Sequence, residues 1–193
     1  MILYLHGFAS TGEGGKWGIL RDAFPGVDVQ SPTLPDDPID CMEFVADLLS
    51  NADEPHVVIG TSLGGFYAYH IASMLNVPAI IINPSMEPWL GLEEAVGTVE
   101  RFDTDGETFE WTQQHIENLK VLAMQSARAP GELIHFFLAR DDELLDHTGI
   151  PDEYPEAASI RWFEDGGHRF ERFAELVPAI REIFASRKRL WGE

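Results

Sequence analysis

Residues 56–75, HVVIGTSLGGFYAYHIASML, place a sharp glycine-containing turn between a strand pattern and a helix pattern. A short β-branched run, VVI, precedes the turn, and residues 63–75 have the length and apolar content of a buried helix. Gly60 and Gly64 flank Ser62, and glycine suits such a turn because a β-carbon would collide with the neighbouring strand or helix. The pattern favours a serine whose hydroxyl is exposed at the turn. The alternative is a tight turn in which Ser62 merely caps the helix.

Size, charge and cysteine content limit the classes of protein that this chain represents. A length of 193 residues with 45% hydrophobic content predicts one globular domain over residues 1–193. The formal net charge of −20 repels phosphate groups and anionic lipids, so we expect neither a nucleic-acid partner nor a membrane partner. The N-terminal segment MILYLHG is typical of a strand rather than a signal peptide. Cys41 is the single cysteine, which favours a reducing compartment, and we expect the cytoplasm.

Short apolar runs alternate with amphipathic segments along most of the chain. The uninterrupted run at residues 79–82, AIII, is typical of a strand covered on both faces, as in a parallel sheet. The alternation therefore predicts an α/β fold with a mostly parallel sheet of about five strands flanked by helices. Asp40 is expected to cap the helix that follows the proline-rich loop at residues 32–38. Strand patterns lie at residues 2–5, 27–31, 56–59, 79–84, 132–138 and 158–163.

Residues 85–130 interrupt this alternation. The segment has no strand pattern and contains several aromatic residues, followed by an amphipathic helix pattern at about residues 111–123. We expect a helical, lid-like insertion over the carboxyl edge of the sheet. In the alternative interpretation, the aromatic side chains only pack the insertion onto the core. These aromatic residues are Trp89, Phe102, Phe109 and Trp111.

Polar residues follow four of the predicted strands. They are the HGF turn at residues 6–8, Ser62, the pair Asp141 and Asp142, and His168. In open parallel sheets, ligands bind beyond the carboxyl ends of the strands. The chain order serine, aspartate, histidine is that of α/β-hydrolases, and here the acid and the histidine each follow a separate later strand. The sequence thus predicts an α/β-hydrolase fold with a catalytic triad.

The roles of the triad follow from the acidity of its side chains. A serine hydroxyl is a weak nucleophile, so Ser62 needs a base within hydrogen-bond distance, and His168 is the candidate. An aspartate bonded to the other ring nitrogen would fix the tautomer and stabilise the imidazolium. The residues alone leave two candidates for this acid, Asp141 and Asp142, with Asp146 as a weaker third.

The HGF turn is expected to form part of an oxyanion hole. The backbone N–H groups of Phe8 and Leu63 are the predicted donors, and His6 is expected to support the turn rather than act as the base. We find no glycine-rich phosphate loop and no paired cysteine motif, so no metal or cofactor is expected. His70 lies within the helix after Ser62 and is expected to be a packed or surface histidine. The other histidines show no metal-ligand spacing with a carboxylate partner; they are His56, His115, His135 and His147.

Five motifs carry a resemblance to a known family: LYLHGF, GTSLGGFYA, INPS, DDELLD and DGGHRF. With them the chain resembles the small YqiA/YcfP-type α/β-hydrolases, bacterial cytoplasmic esterases, from its first strand through His168. The family's acid lies in a GDE(V/L)LD stretch, so the resemblance implies that Asp142 is the catalytic acid, with Ser62 and His168 as its partners. At Arg140, Asp141 and Arg169 the chain departs from the family's pattern. These differences affect no member of the triad, but they alter the expected rim of the pocket.

The resemblance implies a carboxylester hydrolase whose partner is a small-molecule ester with a short acyl chain. One alternative within enzymes is a thioesterase or acyltransferase that uses the same triad. Another is a non-catalytic scaffold that binds a ligand or a partner, and the intact triad argues against it.

Overall fold

The computed structural model describes residues 1–52 and 56–190. In these ranges the strands are β1 (Ile2–Leu5), β2 (Val29–Gln30), β3 (Val57–Thr61), β4 (Ala79–Ile82), β5 (Gly97–Glu100), β6 (Thr108–Trp111), β7 (Ile134–Ala139) and β8 (Ser159–Phe163). The helices are α1 (Gly15–Ala23), α2 (Pro38–Ser50), α3 (Leu63–Leu75), α4 (Pro88–Leu92), α5 (Gln113–Gln125), α6 (Ile150–Glu153) and α7 (Val177–Leu190).

Six strands form one parallel sheet in the order β2-β1-β3-β4-β7-β8. Both faces of β1, β3 and β4 are buried, as expected for uninterrupted apolar runs. One face packs against α2, α3 and α5, and the other packs against α1 and α7. The parallel register brings the carboxyl ends of β3, β4 and β7 to the same edge, which is where the predicted site residues follow.

The expected sheet is confirmed, with six strands instead of about five. Its edge strand β2 is only two residues long and pairs with β1.

The expected helix cap at Asp40 is wrong, because α2 begins about one turn earlier. Asp37 is the N-cap and its Oδ1 accepts from the amides of Ile39 at 2.8 Å and Asp40 at 3.4 Å. Pro38 then occupies the first helical position, where its missing N–H costs nothing.

The insertion at residues 85–130 contains a β-hairpin, so the expectation that it lacks strands is wrong. Strands β5 and β6 pair antiparallel, and the helix expected near residues 111–123 is α5, two residues further along. Trp111 at the end of β6 is 1% exposed and packs edge-on against Phe8 with ring centroids 4.9 Å apart. Arg101 bonds both carboxylate oxygens of Asp36, at 2.7 and 2.8 Å. The insertion is therefore anchored to the loops beyond β1 and β2, and its lid-like role stays a prediction.

Candidate active site

Ser62 lies at the junction of β3 and α3 in a backbone conformation that few non-glycine residues adopt, with φ 57° and ψ −120°. The flanking glycines make this turn possible. A β-carbon on Gly60 would lie 2.0 Å from the carbonyl oxygen of Gly64, and one on Gly64 would lie 2.1 Å from that of Leu5. Strand, turn and helix therefore approach as closely as the G-x-S-x-G pattern predicts.

The HGF turn lies directly against this serine. A β-carbon on Gly7 would be 3.8 Å from the Ser62 hydroxyl oxygen. Phe8 is the next residue in the chain, so the turn brings it close to the serine in space. Leu63 is the first residue of α3, and its amide consequently has no acceptor within the helix. The two amides remain the predicted oxyanion donors.

His6 supports the turn through both ring nitrogens. Its Nδ1–H donates to the Gly7 carbonyl at 2.9 Å, and its Nε2 accepts from the Leu34 amide at 3.0 Å. Burial lowers the pKa of His6, and the positive charge of Arg101 acts in the same direction. The neutral ring is thus engaged in holding two loops together.

Asp142 lies beyond the end of β7 with its side chain 1% exposed. Oδ1 accepts from the Leu144 and Leu145 amides, both at 2.9 Å, while two histidines approach Oδ2. Burial by itself would raise the pKa of this carboxyl group, but the hydrogen bonds from His147, His168 and the two amides outweigh burial and hold the pKa well below its usual range. The group is an ionised carboxylate at neutral pH.

His168 bridges the acid and the serine. Its Nδ1 lies 3.0 Å from Oδ2 and 3.1 Å from Oδ1 of Asp142, and its Nε2 lies 3.0 Å from the Ser62 hydroxyl oxygen. A carboxylate only accepts hydrogen bonds, so Nδ1 carries the proton and Nε2 is left to accept from the serine. The structure brings these three side chains together from loops that are far apart in sequence.

The other two acid candidates do not bond to the His168 ring. Asp141 accepts from the amides of Gly167 at 2.9 Å and Gly166 at 3.3 Å, which fixes the loop that carries the histidine. Asp146 accepts from the Thr148 amide at 2.9 Å on its own loop. Adjacent aspartates thus have different roles: one carboxylate faces the imidazole and the other faces the backbone beside it.

Two side chains around the site were not identified from the sequence. Asn83, at the end of β4, is fully buried and bonds the Ala139 amide together with the carbonyls of Gly167 and His168. His147 Nε2 donates to Oδ2 of Asp142 at 2.7 Å. The INPS and DDELLD motifs include or adjoin these residues, but only the folded chain shows what they contact.

Among the described residues, no cluster of three or more histidine, cysteine, aspartate or glutamate side chains could hold a metal ion. In the same part of the chain, no helix is both long and apolar enough to cross a bilayer. Of the remaining histidines, His70 is buried between aromatic rings, and His135 Nδ1 lies 3.0 Å from the Ser159 hydroxyl. Burial lowers the pKa of each of these two histidines to about 4.

The parallel sheet and the serine turn, followed along the chain by the acid and the histidine at one sheet edge, define an α/β-hydrolase fold. The chain belongs to the family UPF0227, described as an uncharacterised protein family, which matches residues 1–185. The UPF0227 protein YcfP of Escherichia coli O9:H4 (strain HS) is 25% identical over 187 residues, or 94% of this chain and 97% of the relative. The expected membership of the YqiA/YcfP-type proteins is thereby confirmed.

Solved structures share this fold. A putative hydrolase from Agrobacterium vitis S4 superposes with a TM-score of 0.73 at 16% identity, covering 95% of this chain and 87% of that one. A monoacylglycerol lipase from Paleococcus ferrophilus gives 0.68 at 15% identity, covering 96% and 94%. At these identities the likeness is one of fold.

Proposed function

We propose that this protein is a serine carboxylester hydrolase acting on esters of short acyl chains. One observation carries the proposal: the Ser62 hydroxyl lies 3.0 Å from a ring nitrogen of His168 whose other nitrogen contacts a buried carboxylate. A neutral imidazole held in this tautomer presents a bare Nε2 to the hydroxyl, which is the form that a general base requires. The short acyl chain follows from the family resemblance, and the lone Cys41 supports action in the cytoplasm.

In the proposed reaction, the Ser62 oxygen attacks the ester carbonyl as His168 Nε2 removes the hydroxyl proton. The amides of Phe8 and Leu63 stabilise the resulting oxyanion. His168 then gives its proton to the departing alcohol, which leaves an acyl group on Ser62. Water, deprotonated by the same imidazole, cleaves the acyl-enzyme and restores the serine. Asp142 stays ionised throughout and stabilises the imidazolium.

The first test removes the nucleophile. Ser62→Ala should lower turnover of p-nitrophenyl acetate and butyrate by about 10⁴-fold or more. A matched control is Ser73→Ala, because Ser73 lies on the same helix about 16 Å away at ~1.5 Å per residue and its hydroxyl bonds the Ala127 carbonyl. Circular dichroism should match wild type for both variants. Turnover by Ser62→Ala equal to that of the control would refute the proposal.

The second test separates the two adjacent acids. Asp142→Asn should lower kcat by roughly 10³- to 10⁴-fold, because the amide no longer holds the Nδ1–H tautomer of His168. Asp141→Asn keeps an oxygen acceptor for the Gly167 amide and should lose much less. Equal losses in the two variants would contradict the assignment of Asp142 as the catalytic acid.

The same triad could also hydrolyse a thioester or transfer the acyl group onto an alcohol. A panel that compares short-chain acyl-CoA with p-nitrophenyl esters, with and without an alcohol acceptor, separates these activities from simple ester hydrolysis. Failure of a fluorophosphonate probe to label Ser62 would instead favour a non-catalytic scaffold.

A further inference from the structure

The carboxylate of Asp142 is contacted by two histidines. His168 Nδ1 lies 3.0 Å from Oδ2 and 3.1 Å from Oδ1, and His147 Nε2 lies 2.7 Å from Oδ2. Both partners of the second contact are withdrawn from water, since the side chain of His147 is 2% exposed and that of Asp142 is 1% exposed. The proposed reaction uses only the first contact.

The chemistry of the carboxylate determines which ring nitrogen of His147 carries a proton. An ionised carboxylate only accepts hydrogen bonds, so Nε2 of His147 must carry a proton. The two histidines therefore have opposite tautomers when neutral: His147 carries its proton on Nε2, and His168 carries it on Nδ1. At 2.7 Å the bond from His147 is the shortest of those that Asp142 accepts.

We propose that His147 is a positioning residue that acts on His168 through Asp142. The amides of Leu144 and Leu145 hold Oδ1, and His147 holds Oδ2, so the plane of the carboxylate is fixed with its two oxygens 3.1 and 3.0 Å from Nδ1 of His168. This inference rests on the proposed function, because it assigns to His147 a part in keeping the general base in its reactive tautomer and orientation.

The surroundings of His147 leave room for a variant side chain. A cavity of about 370 Å³ adjoins it. The charged groups that line this cavity beside the pair are Arg140, Glu143 and Asp146. The backbone role of His147, whose carbonyl accepts from the Ile150 amide at 3.0 Å, is retained when only the side chain changes.

The test compares His147→Phe with His147→Gln. Phenylalanine fills the site without a donor, whereas the side-chain amide of glutamine presents an N–H near the position of Nε2. With p-nitrophenyl butyrate, His147→Phe should lower kcat by about 10- to 100-fold with KM within about twofold of wild type. His147→Gln should recover most of this loss. Thr148→Val on the same loop is the matched control and should behave as wild type.

A pH profile provides a readout that packing alone would not move. The hydrogen bond from His147 lowers the pKa of the Asp142 carboxyl group, which contacts the general base directly. Removing this bond makes the carboxylate attract a proton more strongly. The acid limb of kcat/KM should therefore move to higher pH in His147→Phe and stay in place in His147→Gln. The charged groups Arg140, Glu143 and Asp146 are the same in both variants, so they do not account for a difference between the two pH profiles.

Nitrogen-15 NMR of histidine-labelled wild-type protein tests the bond without any substitution. The inference requires that Nε2 of His147 carries a proton and has the chemical shift of a hydrogen-bonded nitrogen. In Asp142→Asn this nitrogen should lose the hydrogen-bonded shift. A neutral His147 with its proton on Nδ1 would overturn it, even if His147→Phe failed to fold. Equal losses in the phenylalanine and glutamine variants with an unmoved acid limb would also overturn it.

The outcomes distinguish this inference from the function on which it rests. Unchanged turnover in Ser62→Ala contradicts the proposed function itself. Loss of activity in Ser62→Ala, combined with wild-type kcat and an unmoved acid limb in His147→Phe, contradicts only the role of His147.

Discussion

Replacing Asn83 should disturb both the stability of the fold and the position of His168. This side chain is fully buried at the end of β4. Its Oδ1 accepts from the Ala139 amide at 2.8 Å, and its Nδ2 donates to the carbonyls of Gly167 at 2.8 Å and His168 at 3.2 Å. One amide group thus links the ends of β4 and β7 to the loop that carries the histidine.

The cost of Asn83→Ala follows from these contacts. Ala139 is buried, so its amide would lose its partner without access to bulk water, at about 1–3 kcal/mol. The two carbonyls belong to half-buried residues that water reaches in part, so each contributes about 0.5–1 kcal/mol. Asn83 has φ 40°, and alanine in this left-handed region costs a further 1–2 kcal/mol or so. The sum is about 3–7 kcal/mol.

Asn83→Gly separates the backbone contribution from the hydrogen bonds, because glycine adopts a positive φ without strain. We expect it to lose about 2–5 kcal/mol in urea unfolding, somewhat less than Asn83→Ala, and to lower kcat for p-nitrophenyl butyrate because the loop of His168 is released. Asn51→Ala is the control, since Asn51 is exposed and its side chain donates to the Asp47 carbonyl four residues earlier in the chain. A loss under about 1 kcal/mol in both Asn83 variants would refute the reasoning.

Two further substitutions test burial and close approach. Burial lowers the pKa of His70 from 6.5 to about 4, so the unfolded chain binds the extra proton between these values and stability falls as pH drops through that window. At pH 5 the effect of His70 lowers the free energy of unfolding by about 2 kcal/mol relative to pH 7.5. In urea unfolding, the difference in stability between these two pH values should therefore be smaller by about 2 kcal/mol in His70→Leu than in wild type. The same pH dependence in both proteins would contradict the assignment. Gly64→Ala should abolish folding or cost more than about 4 kcal/mol, because the new β-carbon would lie 2.1 Å from the Leu5 carbonyl oxygen, whereas Gly18→Ala in α1 meets nothing within 4 Å and should be neutral or stabilising. Thermal unfolding checks this pair, and comparable melting temperatures for the two variants would contradict the predicted clash.

The main sheet was predictable because burial on both faces leaves a simple signal in the sequence. The run at residues 79–82 has no polar interruption, and the strand it forms is buried along its whole length. The hairpin of β5 and β6 gives no such signal. Its strands are four residues each, alternate between half-exposed and exposed positions except for the buried Trp111 at the end of β6, and carry charged or polar residues. Their pairing is stabilised by neighbours such as Phe8, which lies far away in sequence.

The site was predictable to the extent that it depends on chain order. Ser62 and His168 each follow a strand at the carboxyl edge, and that placement survives small errors in strand boundaries. The choice between Asp141 and Asp142 depends on side-chain direction in a loop, where the alternation of a strand no longer applies. Asn83 was missed for a related reason: its partners at residues 139, 167 and 168 become neighbours only when β4 pairs with β7.

The acidic character of this chain has a specific structural use beside His168. Gly166 and Gly167 both have positive φ, so the loop would be flexible without other restraints. Three side chains provide them: Asp141 accepts from both glycine amides, Glu143 accepts from the His168 amide at 2.9 Å, and Asn83 donates to the carbonyls that follow. Backbone N–H groups donate to all three consecutive acids at residues 141–143, and these hydrogen bonds stabilise the neighbouring carboxylates. Three carboxylates of this strongly acidic chain therefore have a structural role, because Asp142 contacts the imidazole while Asp141 and Glu143 hold its loop in position.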